Sequence, residues 1–253
     1  MTQEYKVIEK LLTPNIYSRP GTKMKKIKGI VIHWVANPNS KALNNRNYFE
    51  NLPKINADLP KDKRRYASAH EVIGLDGEVV ICLPSDEMAY HTGSDTYPSE
   101  AIKYLGRYPN NCTYGIECTH IDWTGKMTDA TYKTLVNRVV DLMKQFDLVG
   151  TEKPLWLHQE VVGWKDCHRW FFNNPKEWIK FKEEVFRRCE EMSDVLKLNE
   201  DWQWDLLLEN VKELRVKGVL NNDTWEQKIK NRTITAHELS WINTISLNRL
   251  SKS

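Results

Sequence analysis

The sequence predicts an α/β domain with a mixed central sheet flanked by helices, followed by a small all-helical C-terminal module. Three observations carry this. Through the first 190 residues, short β-branched runs alternate with helical stripes. Asp76–Gly77 sits between two apolar runs, which gives the sheet an antiparallel hairpin. After Ser193 the strand signal stops and only helical periodicity continues. The expected domains are residues 1–190 and 194–253, with a linker near Ser193–Glu200.

The elements follow in order. Ile30, Val31 and Ile32 form a continuous β-branched run, the pattern of a strand buried on both faces, and His33 follows directly. Asn37–Pro38–Asn39–Ser40 is loop chemistry. Residues 41–52 read as a helix with Ala42, Tyr48, Phe49 and Leu52 as its apolar positions. Val72 and Ile73 form one arm of the hairpin, and Val79, Val80 and Ile81 the other. Residues 114–118 are a further short strand in which Glu117 sits among apolar neighbours. Thr128 is placed to cap a helix striped by Tyr132, Leu135, Val136, Val139, Met143 and Phe146. Leu155–Trp156–Leu157 is a last strand, ending at His158. Pro175 opens a helix carrying Trp178, Ile179, Val185 and Phe186. In the tail, Trp204, Leu207, Leu208, Val211 and Leu214 form one stripe that stops near Gly218. Asp223–Glu226 and Thr235–Glu238 match capping boxes, the second followed by Leu239, Ile242 and Leu250.

Bulk properties exclude some classes. The 253 residues carry 37 basic and 34 acidic side chains, too even a balance for a nucleic-acid partner. From Asp194 onward nine basic and nine acidic residues cancel. Five cysteines at irregular spacing imply no disulfide framework and fit a reducing compartment. The N-terminal stretch lacks a signal peptide's apolar centre, and no apolar run suits membrane insertion. The expectation is synthesis in the cytoplasm without a signal peptide.

The stretch LHQEVVGWKDCHRW, residues 157–170, concentrates reactive side chains. Catalytic zinc takes three protein ligands and keeps one coordination position open. His33 and His158 each end a predicted strand, and Cys167 lies nine residues beyond His158. Two strand-end imidazoles and a loop thiolate would make such a set. The spacing matches no standard zinc motif, so a small buried structural cysteine stays open as the alternative. Glu117 in an apolar strand is costly unless it is paired or functional. Trp34, Trp123 and Trp164 lie near these motifs, suited either to stacking on sugar or peptide or to packing.

IVIHW, the ASAH…DGEV hairpin, MAYHTG at 88–93, YGIE at 114–117 and the final H…KDC occur in one order. Together they resemble the zinc-dependent N-acetylmuramoyl-L-alanine amidases of the type 2 family, which includes phage lysins, bacterial autolysins and peptidoglycan recognition proteins. The resemblance covers about residues 27–187 and excludes the helical tail. It implies a Zn2+ site at the sheet edge with His33, His158 and Cys167 as metal ligands. Glu117 matches the glutamate that contacts the metal's water, and Lys165 a lysine that faces the reacting carbonyl. His91 matches a substrate-groove position; Thr92 beside it and Trp34 beside His33 join it as substrate-binding candidates. His70 is expected to be structural. Two departures stand out. His168 follows the cysteine where the family often has proline, and is a conceivable competing ligand. Ala69 replaces a tyrosine found in some members, which shifts weight to Glu117.

The resemblance implies hydrolysis of the amide between N-acetylmuramic acid and L-alanine of the stem peptide in bacterial peptidoglycan. A phage endolysin, reaching the wall after release through a membrane hole or lysis, fits best. A non-catalytic recognition protein of the same fold is one alternative, although Cys167 argues against it. A zinc peptidase cutting within the stem peptide is another. The helical module is expected to target the cell wall or to self-associate.

Overall fold

The computed structural model describes residues 5–193 and 195–250, so Asp194, where the second domain was expected to begin, lies outside the described residues. The chain divides into two compact units, one ending at Phe186 and the other starting at Arg187.

The first unit is built on a six-stranded sheet. Its strands are β1 (Val7–Glu9), β2 (Gly29–Trp34), β3 (Glu71–Ile73), β4 (Val79–Ile81), β5 (Thr113–Cys118) and β6 (Leu155–Leu157). Their order across the sheet is β1-β4-β3-β5-β2-β6. Only β3 and β4 pair antiparallel, as the hairpin requires; every other neighbour is parallel. The sheet is therefore mixed, as expected. Its hairpin turns at Gly77, whose φ of +80° suits glycine, and a Cβ there would meet Thr134 Oγ1 at 2.7 Å. All six residues of β2 are buried, which explains its unbroken apolar run. Strand β1 carries too few apolar residues to be read from sequence, and its position comes from pairing Val7 with Val79.

The helices of this unit are α1 (Ala42–Glu50), α2 (Leu52–Ala57), α3 (Ser99–Leu105), α4 (Asp129–Gln145), α5 (His158–Val162), α6 (Arg169–Asn173) and the first part of α7 (Pro175–Ser193), whose residues from Arg187 belong to the second unit. They occupy both faces. On one face Val72 of β3 joins a buried cluster with Ala42 and Phe49 of α1. Its neighbour Glu71 points the other way and meets Arg138 of α4, as strand alternation dictates. Thr128 caps α4 as expected, its Oγ1 accepting from Thr131 N at 3.0 Å. The expected apolar face of α7 needs correcting. Trp178, Phe181 and Val185 are buried, whereas Ile179 and Phe186 are exposed. The stripe runs i, i+3, i+7, and Ile179 falls one residue off it.

Glu71 is fully enclosed. Arg138 Nε lies 2.9 Å from its Oε2, and Tyr114 donates its hydroxyl to the same oxygen at 2.7 Å. The pair ties α4 to the middle of the sheet.

The second unit holds α8 (Asp201–Val216), α9 (Thr224–Lys230) and α10 (Ala236–Leu250). Trp204, Val211, Leu220, Ile229, Ile234 and Ile242 form its core. The Thr235–Glu238 box forms: Glu238 N donates to Thr235 Oγ1 and Thr235 N to Glu238 Oε2, both at 3.0 Å. The Asp223–Glu226 box does not. Glu226 is buried and pairs with Arg215 instead, while Thr224 N donates to Asn222 Oδ1 at 3.1 Å. The expected linker is partly structured, since Val195 bridges Thr235 and Leu196 N donates to Ile234 O at 2.8 Å. The side chain of Leu250 lies outside the described residues.

Removing one member of a buried ion pair strands the other in low dielectric. Arg138→Met is expected to lower unfolding free energy by about 3 kcal/mol in urea melts. The double variant with Glu71→Met should recover most of that loss; equal loss in both variants would show that the pair does not hold α4.

Candidate metal centre

Parallel strands deliver their carboxyl ends to one edge, and the site is assembled there. In the β2–β5 register His33 lies opposite Glu117, and in the β2–β6 register Ile32 lies opposite Leu157. His158, the first residue of α5, is therefore level with His33, and their ring centroids are 4.5 Å apart. The loop from Gly163 to His168 then folds back over the strand ends. Gln159 N donates to Cys167 O at 2.6 Å, which holds the loop against the start of α5.

His33, His158 and Cys167 are all buried, and one donor atom from each lies within 4.8 Å of the others. Among the described residues this is the one group of three or more metal-binding side chains so close together. Zinc–nitrogen bonds of about 2.0 Å and zinc–sulfur bonds of about 2.3 Å place tetrahedral donors roughly 3.6 Å apart. Cys167 Sγ and His33 Nδ1 are 3.8 Å apart. His158 Nε2 is buried without a hydrogen-bond partner, the arrangement expected of a nitrogen kept for a ligand. The donor set fits a divalent zinc-type cation.

Electrostatics agree. Burial holds His33 well below its ordinary pKa, helped by the neighbouring His158 and His91. Burial, with a smaller push from Lys165, pulls His158 down to about 3. Both rings are thus neutral, the form that binds metal. Burial pushes the Cys167 thiol up, and Glu117 adds to this. A cation arriving at the site would displace that proton.

A cleft of about 670 Å³ opens over the three donors and is lined also by Glu117 and Lys165. Glu117 Oε2 is buried and unpartnered. Burial raises the Glu117 carboxyl to about 8, and Lys165 opposes the rise. The Lys165 ammonium lies 5.0 Å from the Trp164 ring centroid. The sequence-predicted catalytic pair and metal trio therefore share one cleft.

The other candidates are placed differently. His91 borders the cleft but is only 6% exposed, and both ring nitrogens are engaged within the protein. Thr92 is fully enclosed, donating its amide and hydroxyl to Asn110 Oδ1 at 2.8 and 2.7 Å. Trp34 lines the cleft and packs against two neighbours. The Arg169 guanidinium lies 4.3 Å from its ring centroid and His120 4.7 Å. Thr92 is thus enclosed, whereas Trp34 keeps 7% of its surface exposed at the cleft. Trp123 and Trp164 stay exposed. His70 is structural, accepting from Gly115 N at 2.9 Å and stacking on Tyr114. His168 is fully buried with both ring nitrogens unpartnered, and it lies outside the donor group. Tyr66, Tyr90 and Tyr108 line the cleft and escaped sequence reasoning. Tyr90 directly precedes His91 in MAYHTG, which is the signal that was available.

Residues 23–170 match the family model described as N-acetylmuramoyl-L-alanine amidase. A probable N-acetylmuramoyl-L-alanine amidase of Bacillus licheniformis is 36% identical over 176 residues, covering 69% of this chain and 44% of that protein. The chain belongs to the N-acetylmuramoyl-L-alanine amidase family. The amidase BlyA of Bacillus subtilis strain 168 is 30% identical over 179 residues, covering 68% of this chain and 44% of its own. The chain thus spans less than half the length of the curated amidases it matches. Among solved structures, the catalytic domain of PlyG superposes with a TM-score of 0.54 at 18% identity, over 73% of this chain and 95% of that one. A mutant endolysin from Bacillus subtilis gives 0.52 at 22% identity, over 72% and 99%. These likenesses establish the amidase fold for the first unit.

Arg169 fastens the cysteine loop to the rest of the cleft. Its guanidinium bonds Asp166 at 2.7 Å, covers Trp34 and donates to Trp123 O at 3.1 Å. Arg169→Ala is expected to lower stability by about 1–2 kcal/mol and to alter tryptophan emission. Unchanged urea midpoint and emission would show that the clamp is idle.

Proposed function

We propose that this chain is a zinc-dependent peptidoglycan hydrolase. It cleaves the amide between the lactyl group of N-acetylmuramic acid and L-alanine of the stem peptide. One observation carries the proposal: two neutral imidazoles and a thiol converge at the floor of a cleft that also holds an unpartnered buried carboxylate oxygen. Family membership supplies the substrate class.

In this proposal His33, His158 and Cys167 hold the zinc. Bound zinc supplies Lewis acidity, which acidifies water and polarises a carbonyl. Glu117 takes a proton from the attacking water through its free Oε2 and passes it to the leaving nitrogen. A nearby cation favours the charged carboxylate and opposes the upward push of burial. The Lys165 ammonium meets negative charge as it grows on the carbonyl oxygen, a contribution of about 2–4 kcal/mol. Trp123, which lines the cleft, and Trp164, next in sequence to the lining Lys165, are both exposed and offer apolar faces to the glycan or peptide. Cys167 supports catalysis over mere recognition, because a thiolate completes the ligand set.

The helical unit presents Trp202, Leu206 and Trp241 to solvent. In our reading it retains the enzyme on the wall or pairs two copies. Sedimentation velocity separates these, since a monomeric full chain ends the pairing option.

Wall turbidity and mass spectrometry test the whole reading. Wild-type protein should release peptides with a free L-alanine amino group and leave free muramoyl lactate. Chelation should stop lysis, and zinc should restore it. Glu117→Gln is expected to keep its zinc while losing about 10²–10⁴-fold in kcat. Cys167→Ser should lose zinc and activity together. New amino groups inside the stem peptide would replace this reading with a peptidase. Full lysis by metal-stripped protein would end it.

A further inference from the structure

His91 is drawn into the metal site by hydrogen bonds whose direction the surrounding groups fix. Thr113 Oγ1 donates to Pro109 O at 2.8 Å, so its hydrogen is spent and it can only accept elsewhere. His91 Nε2 faces this oxygen at 3.1 Å and Thr113 O at 3.2 Å. A carbonyl never donates, so two acceptors require that His91 Nε2 carry the proton. An imidazole that carries its one N–H on Nε2 presents Nδ1 as an acceptor. His33 Nε2 lies 3.0 Å from that Nδ1 and must donate to it. The remaining nitrogen of a neutral His33 is Nδ1, bare and 3.8 Å from Cys167 Sγ.

A second, steric observation points to the same contact. Gly115 lies under the His91 ring. A Cβ there would sit 2.6 Å from Nδ1 and 2.7 Å from Cγ. Glycine is needed because the ring rests directly on β5. The amides of His91 and Thr92 both donate to Asn110 Oδ1, at 3.1 and 2.8 Å, which pins the backbone beneath the ring.

We propose that His91 is a positioning residue: by accepting from His33 Nε2, it fixes the tautomer that leaves His33 Nδ1 free to hold the cation. This rests on the metal site proposed above. Removing a group that orients a metal-binding histidine weakens metal binding about 10–100-fold.

Zinc affinity by chelator competition and the histidine tautomers by 15N NMR test the proposal. His91→Gln keeps a polar side chain but places no acceptor at the Nδ1 position. Gly115→Ala displaces the ring and removes no polar group. Both should bind zinc about 10–100-fold more weakly than wild type. His91→Asn sets its amide oxygen where Nδ1 stood and should stay within about threefold of wild type. In the metal-free wild-type chain, His33 and His91 should both carry their proton on Nε2. His33 protonated on Nδ1 overturns the inference. So does wild-type affinity in His91→Gln and Gly115→Ala, or an Asn variant as weak as the Gln one. Wild-type protein that binds no zinc removes the metal-site reading itself, and this inference with it.

Discussion

The register of three parallel strands is the constraint on which the rest depends. Strands β5, β2 and β6 run side by side in one direction, so their last residues emerge on one edge. His33 faces Glu117 across one pair, and His158 follows Leu157 across the other. A slip of one residue in either pairing would turn these side chains to the opposite face of the sheet. The apolar run of β2, buried on both sides, is what makes such a slip expensive. Reactive groups at the carboxyl ends of parallel strands are a general outcome of this architecture.

Burial then sets the chemistry. The same exclusion of water that stabilises the strand ends strips charge from both imidazoles and holds the Cys167 thiol protonated. It leaves Glu117 in conflict, a carboxylate whose free oxygen has no neutralising partner within bonding reach. In a merely structural position this conflict would be relieved by a hydrogen bond or an ion pair. Glu71, enclosed in the same sheet, has both through Arg138 and Tyr114. Two glutamates of one sheet, Glu71 enclosed and Glu117 with a buried Oε2, thus differ in kind, and only the unpaired one opens on the cleft.

Much of the site was legible because its signals are local. His33, His158 and Glu117 stand in or beside short apolar runs, and Thr128 caps its helix where the sequence places it. What escaped was fixed by distant partners. Nothing in MAYHTG reveals that Thr113 and Gly115 will lie around His91. Nothing near Trp34 indicates that Arg169 and His120 will pack against it. Asp223 and Glu226 have the spacing of a capping box, yet Arg215 lies close enough to claim the glutamate. The short helices α5 and α6 span five residues each, less than two turns, too few for a periodic pattern.

The Arg169 clamp has a consequence for how an ion would come and go. It joins Asp166, next to Cys167, to Trp34, next to His33, through protein groups alone. The two ends of the ligand set are therefore tied together whether or not a metal bridges them. Small zinc-finger domains collapse when stripped, because the ion is their only fastening. Here the three donors are already drawn together, so loss of an ion held there would leave the surrounding architecture standing.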